Sequence, residues 1–445
     1  MHSSLGQHRA TPNDTDRGNT NRVRSVWRLI LHVAVSGAGI FLCYQLAVSS
    51  ARTGASRLFS MTAIFEGSVE PTSLAVRLTP NDPEAHYTRA LSLLNDQKLS
   101  EALQELRVSI ELRPHHYYEW LDLGVTLDRV GDEAGAADAL YHSIELAPRF
   151  AQPHWQLGSL LYREGRHDEA FAQLRSAANS SPTLFRGLLD LAWAIAPDDS
   201  SALEQLVRPN TTDERLQVAK FFASTDQAPA VLAQVKQAGP ASTEAQRSLL
   251  HDTLSALLAS HHFLEAWQVW LLSHPAYAGA AEQSIVNGDF TAPIVQDDPG
   301  FGWQIGTVPN IQLVIDQSGP TFGARSLNLS YSGESEPQLR PLRQLVLVKP
   351  NSHYTLSFMA RAENVVSGGA PVIVVTDPSD PAKKLGRSKP LDSSKNGWET
   401  LTVDFSTDEK AAAAVIAVER IQCAQSPCPI FGRLWVSRFV LTASK

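Results

Sequence analysis

Carboxylates, histidines and aromatic faces are where chemistry would have to come from in this chain. Asp297 and Asp298 stand side by side ahead of Phe301 and Trp303, a grouping that suggests a glycosidase acid pair. Adjacent carboxylates on a loop point apart, whereas glycoside hydrolysis needs two of them facing each other across a bond at about 5 to 10 Å. The pair therefore reads as a solvated turn before Pro299-Gly300. His261-His262 with Glu265 is the nearest approach to a metal cluster, and at the start of an amphipathic helix it reads as solvated too. His86, His115, His116, His142, His154 and His167 read as surface or interface histidines at differing positions. The sequence holds no Gly-x-Ser-x-Gly elbow, His-Glu-x-x-His pair, phosphate loop or dinucleotide fingerprint. No catalytic residue, metal ligand or cofactor is assigned, and the chain reads as a non-enzyme.

Binding chemistry is better supplied. A sugar ring is recognised by an aromatic face on its apolar side, with amide and charged groups on its hydroxyls. Phe301, Tyr331, Gln338, Arg340 and Arg343 lie in or beside expected strands and form the candidate glycan-binding set. Cys423 and Cys428 flank Ala-Gln-Ser-Pro, a turn-like spacing that an oxidising compartment would close into a disulfide loop. Two lone thiols are the alternative.

The elements that must position these groups begin with a chain of 445 residues, long enough for about three units. With 43% hydrophobic and 19% charged residues it is a folded rather than a disordered chain. A net charge of −8 without a long basic run excludes nucleic acid as a partner. Leu29 to Val48 contains no charged residue apart from a possible His32 cation, and at helical rise it spans about 30 Å, a bilayer core. Arg22, Arg24 and Arg28, with Arg9 and Arg17 behind them, outweigh Arg52 and Arg57 on the other side. That bias places the amino terminus in the cytoplasm and the bulk of the chain outside it. The expectation is a cytoplasmic tail over 1–28, a transmembrane helix over 29–48 and a linker over 49–71, in a bacterial inner membrane. A cleaved secretion signal ending among Ala47, Ser49, Ser50 and Ala51 is the alternative.

Pro80, Pro114, Pro148 and Pro182 then recur every 34 residues. Between them the apolar pattern repeats in phase: Trp120, Leu123, Gly124, Leu127, Ala136 and Leu140 in one copy, Leu157, Gly158, Leu161, Ala170, Leu174 and Ala177 in the next. Gly131 and Gly165 fall at the turns. Small residues at Gly124 and Gly158 let two helices approach, and each proline stops the second helix. Residues 83–182 resemble three tetratricopeptide (TPR) repeats, with a further degenerate copy ending at Pro80, so that 72–182 form the repeat region. Such modules bind extended segments along a groove lined by the first helix of each hairpin. The resemblance makes Tyr87, Tyr117, Glu119, Asp122, Gln152 and Gln156 the candidate partner-binding residues.

Helical spacing without the strict period continues over 183–277, including Thr243–Leu258 followed by Phe263–Trp270 as one more hairpin. From 278 to 445 it gives way to alternation. Tyr354, Leu356, Phe358 and Ala360 share one face of a strand, and seven or more such short runs imply a β-sandwich. Asn287-Gly-Asp-Phe290, Gly302-Trp303, Gly323 to Leu327, Gln344 to Pro350, Tyr354 to Phe358, and Trp398 before Leu401 to Phe405 are similar in order to jelly-roll carbohydrate-binding modules of the xylanase and cellulase type. The resemblance implies that Phe290, Trp303, Tyr354, Phe358, Trp398 and Phe405 fill the interior. Where that family carries an acidic pair that helps to bind calcium, this chain has Ser437 and Arg438, leaving Asp289 alone, and no metal is assigned.

The fold class expected is therefore multidomain α + β: a transmembrane helix, a TPR solenoid and a jelly-roll sandwich. The function expected is a non-catalytic, membrane-anchored scaffold with a protein or peptide in its groove, and a sandwich that either touches glycan or serves as a spacer. By analogy the setting is envelope polysaccharide assembly or export. A glycan-active hydrolase tethered by the repeats is the alternative, for which Glu334 and Glu336 alternate correctly but sit in a turn-like segment.

Overall fold

The computed structural model describes residues 15–66, 68–296, 298–391 and 397–444, with side chains described from Ser25 onward apart from 63–66 and 444. Arg9 and Asp297 lie outside the described residues, as do the side chains of Arg17, Arg22 and Arg24. The chain forms two compact units, Met1–Leu184 and Phe185–Lys445.

In the first unit, helix α1 (Thr15–Glu66) contains the stretch Ser25–Thr62, long and apolar enough to cross a membrane. The segment 49–71 is not a linker, because α1 runs through it to Glu66. Ser56 and Ser60 are buried, and Ser56 Oγ reaches Ala75 O at 3.1 Å and Thr79 Oγ1 at 2.7 Å. The end of α1 thus packs on α2 (Val69–Leu78) as the first member of a hairpin.

Three further hairpins follow in strict register: α3 (Pro83–Asn95) with α4 (Leu99–Leu112), α5 (Tyr117–Arg129) with α6 (Glu133–Leu146), and α7 (Ala151–Arg163) with α8 (His167–Ser180). The reason the helices touch is visible at Gly124 and Gly158. A Cβ there would lie 2.7 Å from Cγ of Leu140 and of Leu174 respectively. Each turn is made by one left-handed residue, Gln97, Gly131 or Gly165, at φ 61°, 85° and 77°.

His86 and His154 correct one sequence expectation. They lie two periods apart (154−86 = 68) and do the same work. Their Nε2 atoms meet the carbonyls of Pro80 and Pro148 at 3.0 and 3.1 Å, and their Nδ1 atoms meet Glu105 and Gln173 at 2.6 and 2.7 Å. In the middle copy Trp120 Nε1 donates to Pro114 O at 2.8 Å. The carbonyls of Pro80, Pro114 and Pro148, left without a helical partner, are thereby satisfied from the next helix.

The second unit opens with α9 (Phe185–Ile195), α10 (Ser200–Val207), α11 (Thr212–Ser224), α12 (Ala228–Ala238), α13 (Glu244–Ala259) and α14 (Phe263–Ser273). Capping boxes at Thr211 with Glu214 and Thr243 with Gln246 start α11 and α13. Asp226 and His261 turn α11 into α12 and α13 into α14, both at φ 62°, repeating the left-handed turn of the first unit without its glycine. His262 Nε2 meets Asp226 Oδ1 at 2.5 Å, so this histidine links two turns.

The sandwich comprises β1 (Gln304–Ile305), β2 (Ile311–Asp316), β3 (Ser326–Glu334), β4 (Leu342–Leu347), β5 (His353–Ser367), β6 (Pro371–Thr376), β7 (Lys384–Arg387), β8 (Glu399–Ser406), β9 (Ala413–Arg420) and β10 (Pro429–Ser444). Two antiparallel five-stranded sheets have the orders β1-β4-β9-β6-β7 and β2-β3-β10-β5-β8. Phe290, Trp303, Tyr354, Phe358 and Phe405 lie in the core between them. Trp398 does not. It stacks near Arg361, a residue on the outward side of β5, because it precedes β8 on the face that Thr400, Thr402 and Asp404 continue.

Candidate partner-binding surfaces

The groove residues separate by their position on the first helices. Tyr87 on α3 donates its hydroxyl to Asp122 Oδ2 on α5 at 2.8 Å. Asp122 is half-buried, and among the described residues it forms no ion pair. Burial holds its carboxyl above the usual carboxylate range, against the opposing pull of the Tyr87 hydroxyl. The Tyr87 hydroxyl is itself pushed well up, by burial first and then by Asp122. Gln156 is half-buried and Gln152 exposed on α7.

Glu119 is removed from the groove. It is fully buried, where its Oε1 accepts from Ser109 Oγ at 2.9 Å and from Arg113 Nε and Nη2 at 3.0 and 2.5 Å. Glu119 and Asp122 lie three residues apart on α5, the one fully buried and the other half-buried, and a polar residue type alone does not tell them apart. Tyr117 sits in an aromatic edge that the sequence did not signal. Its ring lies 4.0 Å from that of Tyr118 and 4.6 Å from that of Phe150, both largely exposed at the starts of α5 and α7.

The five candidate glycan residues do not form one surface. Phe301 is buried edge-on to Trp267, ring centroids 5.0 Å apart, and Tyr331 is buried in the sandwich core. Neither has a face to offer a sugar. Arg340 Nε is paired with the buried Glu419 at 2.8 Å, which also takes Lys384 Nζ at 2.8 Å. Arg343 is exposed but bonded to Gln304 at 2.7 Å, and Gln338 is exposed. Beneath them the outer side of this sheet buries Val372, Val374 and Ala417.

Asp298 is a buried carboxylate rather than a solvated turn. Both its oxygens lie 2.9 Å from Trp270 Nε1 on α14, and it accepts from Gly300 N at 3.0 Å. Trp270 stacks on His274 at 4.2 Å, and the group pins α14 to the strand-bearing half of the second unit. The disulfide joins Cys423 and Cys428. Its loop closes over Arg420, whose Nη2 donates to Cys428 O at 2.9 Å while Nη1 donates to Ser335 O at 2.6 Å.

Among the described residues no group of three His, Cys, Asp or Glu side chains is placed to hold a metal. Asp289 Oδ1 accepts from Thr291 Oγ1 at 2.9 Å, while Ser437 and Arg438 bond to Arg325 O and Thr321 Oγ1.

Comparison with known proteins bears on the helical half. A TPR repeat-containing protein, PA4299 of Pseudomonas aeruginosa, is 35% identical over 88 residues, 20% of this chain and 36% of its own length. The hairpins of the first unit, spaced at 34 residues, are similar to TPR repeats. The chain spans about a third of the length of that curated relative, and no family model matches it. Among solved structures, MamA from residue 41 to its end, of Desulfovibrio magneticus RS-1, aligns at 20% identity and a TM-score of 0.32, covering 35% of this chain and 92% of that one. A structure described as CBM4 aligns at 16% identity and a TM-score of 0.28, covering 36% of this chain and 99% of its own. Likenesses this low leave the sandwich to be read from its own residues.

Proposed function

We propose that this chain is a non-catalytic, membrane-anchored scaffold whose repeat groove holds an extended segment of a protein partner carrying a lysine or arginine. The observation that carries this reading is Asp122. A half-buried carboxylate on a first helix, held by one tyrosine hydroxyl and by no cation among the described residues, is an incomplete ion pair. A cationic side chain completes it. Helix α1 would sit in a bacterial inner membrane with its amino end in the cytoplasm, and the repeats and sandwich outside. The sandwich would contact glycan, in a complex that assembles or exports envelope polysaccharide. The alternative hydrolase gains nothing from Asp298, which is occupied by Trp270 and Gly300.

The test is fluorescence anisotropy of the full chain in detergent with extended peptides that differ only by Lys or Gln at one position. The Lys peptides should bind about 10-fold more tightly, the scale of one charge-assisted bond, and Asp122→Asn should abolish the difference. Equal binding of both peptides to the unsubstituted chain would overturn the assignment.

A further inference from the structure

The outer face of the sheet β2-β3-β10-β5-β8 carries residues that a solvated face does not require. Asn328, Trp435 and Arg361 are directly opposed across β3, β10 and β5, and Trp398 follows immediately before β8. The Arg361 guanidinium lies 4.1 Å from the centroid of Trp435 and 5.8 Å from that of Trp398. Trp435 is buried beneath it, held by its Nε1 bond to Asp316 at 2.9 Å, while Trp398 remains partly exposed.

Arg361 has no hydrogen-bond acceptor and no ion pair among the described residues, and its Nε is buried without a partner. Glu363, the carboxylate two residues along the same face, is already taken by Arg433 at 2.8 Å. Asn328, 8% exposed, leaves its Nδ2 unpartnered in the same row. A stacked guanidinium is held flat with its outer N–H groups turned to solvent, the arrangement that takes a carboxylate side-on. An indole beside it offers the flat apolar face on which a sugar ring stacks.

We infer that this face is a binding site for a glycan bearing carboxylates, a polymer containing uronic acid. Arg361 takes the carboxylate and Trp398 the ring. The opposite sheet is unsuited to that role, because its outer side buries Val372, Val374 and Ala417 and its Arg340 is paired with Glu419. The inference rests on the sandwich contacting glycan and is independent of the repeat groove. An acidic peptide would satisfy Arg361 but would leave the indole face without a ring.

The test is affinity electrophoresis and titration of the full chain in detergent with polygalacturonate, neutral xylan and polyglutamate. Polygalacturonate should bind, with Trp fluorescence quenched. Arg361→Ala and Trp398→Ala should each weaken binding about 10-fold or more, and Arg361→Lys, which keeps the charge and the stem over Trp435, should lose less. Unchanged melting temperatures for Arg361→Lys and Trp398→Phe would show that the face is intact. Xylan binding equal to that of polygalacturonate and untouched by Arg361→Ala would overturn this site while sparing glycan contact. Polyglutamate binding as tight as polygalacturonate would overturn the glycan as its occupant. No binding to either polysaccharide would overturn both the site and the glycan part of the function.

Discussion

If Asp122 takes the partner's cation as proposed, it sets stability against binding within one side chain. Its carboxyl is held above the ordinary value of 3.8, chiefly by burial, so the folded chain grips that proton more tightly than the unfolded chain does. The contribution it makes to stability is therefore complete below the unfolded value and is lost as pH rises through the folded one. At neutral pH the ionised group costs stability. Asp122→Asn keeps an acceptor for the Tyr87 hydroxyl and should raise the melting temperature at pH 7, with the gain shrinking to nothing as the pH falls below about 3.5. Thermal melts of both chains across that range check it, and a gain largest in acid would contradict the sign. The same logic separates Asp122 from Glu119, whose charge is answered by Arg113 and Ser109. From the sequence the two are alike, acidic and three residues apart on one helix. Asp298 hid for another reason: the group that makes it structural is an indole 28 residues away. Nothing in its own neighbourhood announces that contact.

Helical hairpins were legible wherever one residue type serves one geometric need. Gly124 and Gly158 recur because a Cβ at either would meet a leucine Cγ at 2.7 Å, and the proline period marks where second helices stop. The pattern fails where different residues serve one need. His86, Trp120 and His154 all reach a proline carbonyl six residues back, and a search by residue type scatters them. The left-handed turns are written as glycine at 131 and 165 but as Gln97 in the first copy and as Asp226 and His261 after Pro182, so the turn geometry persists where the glycine does not. Two substitutions follow from this. Gly124→Ala overpacks the α5–α6 contact and should cost about 1 to 3 kcal/mol. Gln97→Gly relieves a left-handed residue and should gain up to about 1 kcal/mol, after the added freedom of the unfolded chain is subtracted. Urea denaturation measures both, and a destabilised Gln97→Gly chain would show that the Gln97 side chain, which accepts from Arg129 at 2.6 Å, outweighs the backbone term.

If helix α1 spans a membrane, it decides how the repeat unit is mounted. The sequence divides it into tail, span and linker because the apolar run ends at Val48, but backbone continuity depends on packing further along, at Ser56 and Ser60. Eight residues from Val48 to Ser56 at helical rise come to about 12 Å, so the repeat unit begins within a headgroup layer of the apolar run, with no flexible tether between them. If α1 spans the bilayer, the exposed thiol of Cys43 lies in hydrocarbon, while the partnered Cys423 and Cys428 lie outside in an oxidising compartment. A membrane-impermeant maleimide should then leave Cys43 unmodified in sealed vesicles of either orientation and should label it once detergent is added. Labelling before detergent would place α1 at a surface. Failure to label in detergent, together with a mass short by the amino-terminal segment, would mean the segment is a removed signal. In that case the groove and the sandwich keep their chemistry, but the scaffold is released rather than mounted.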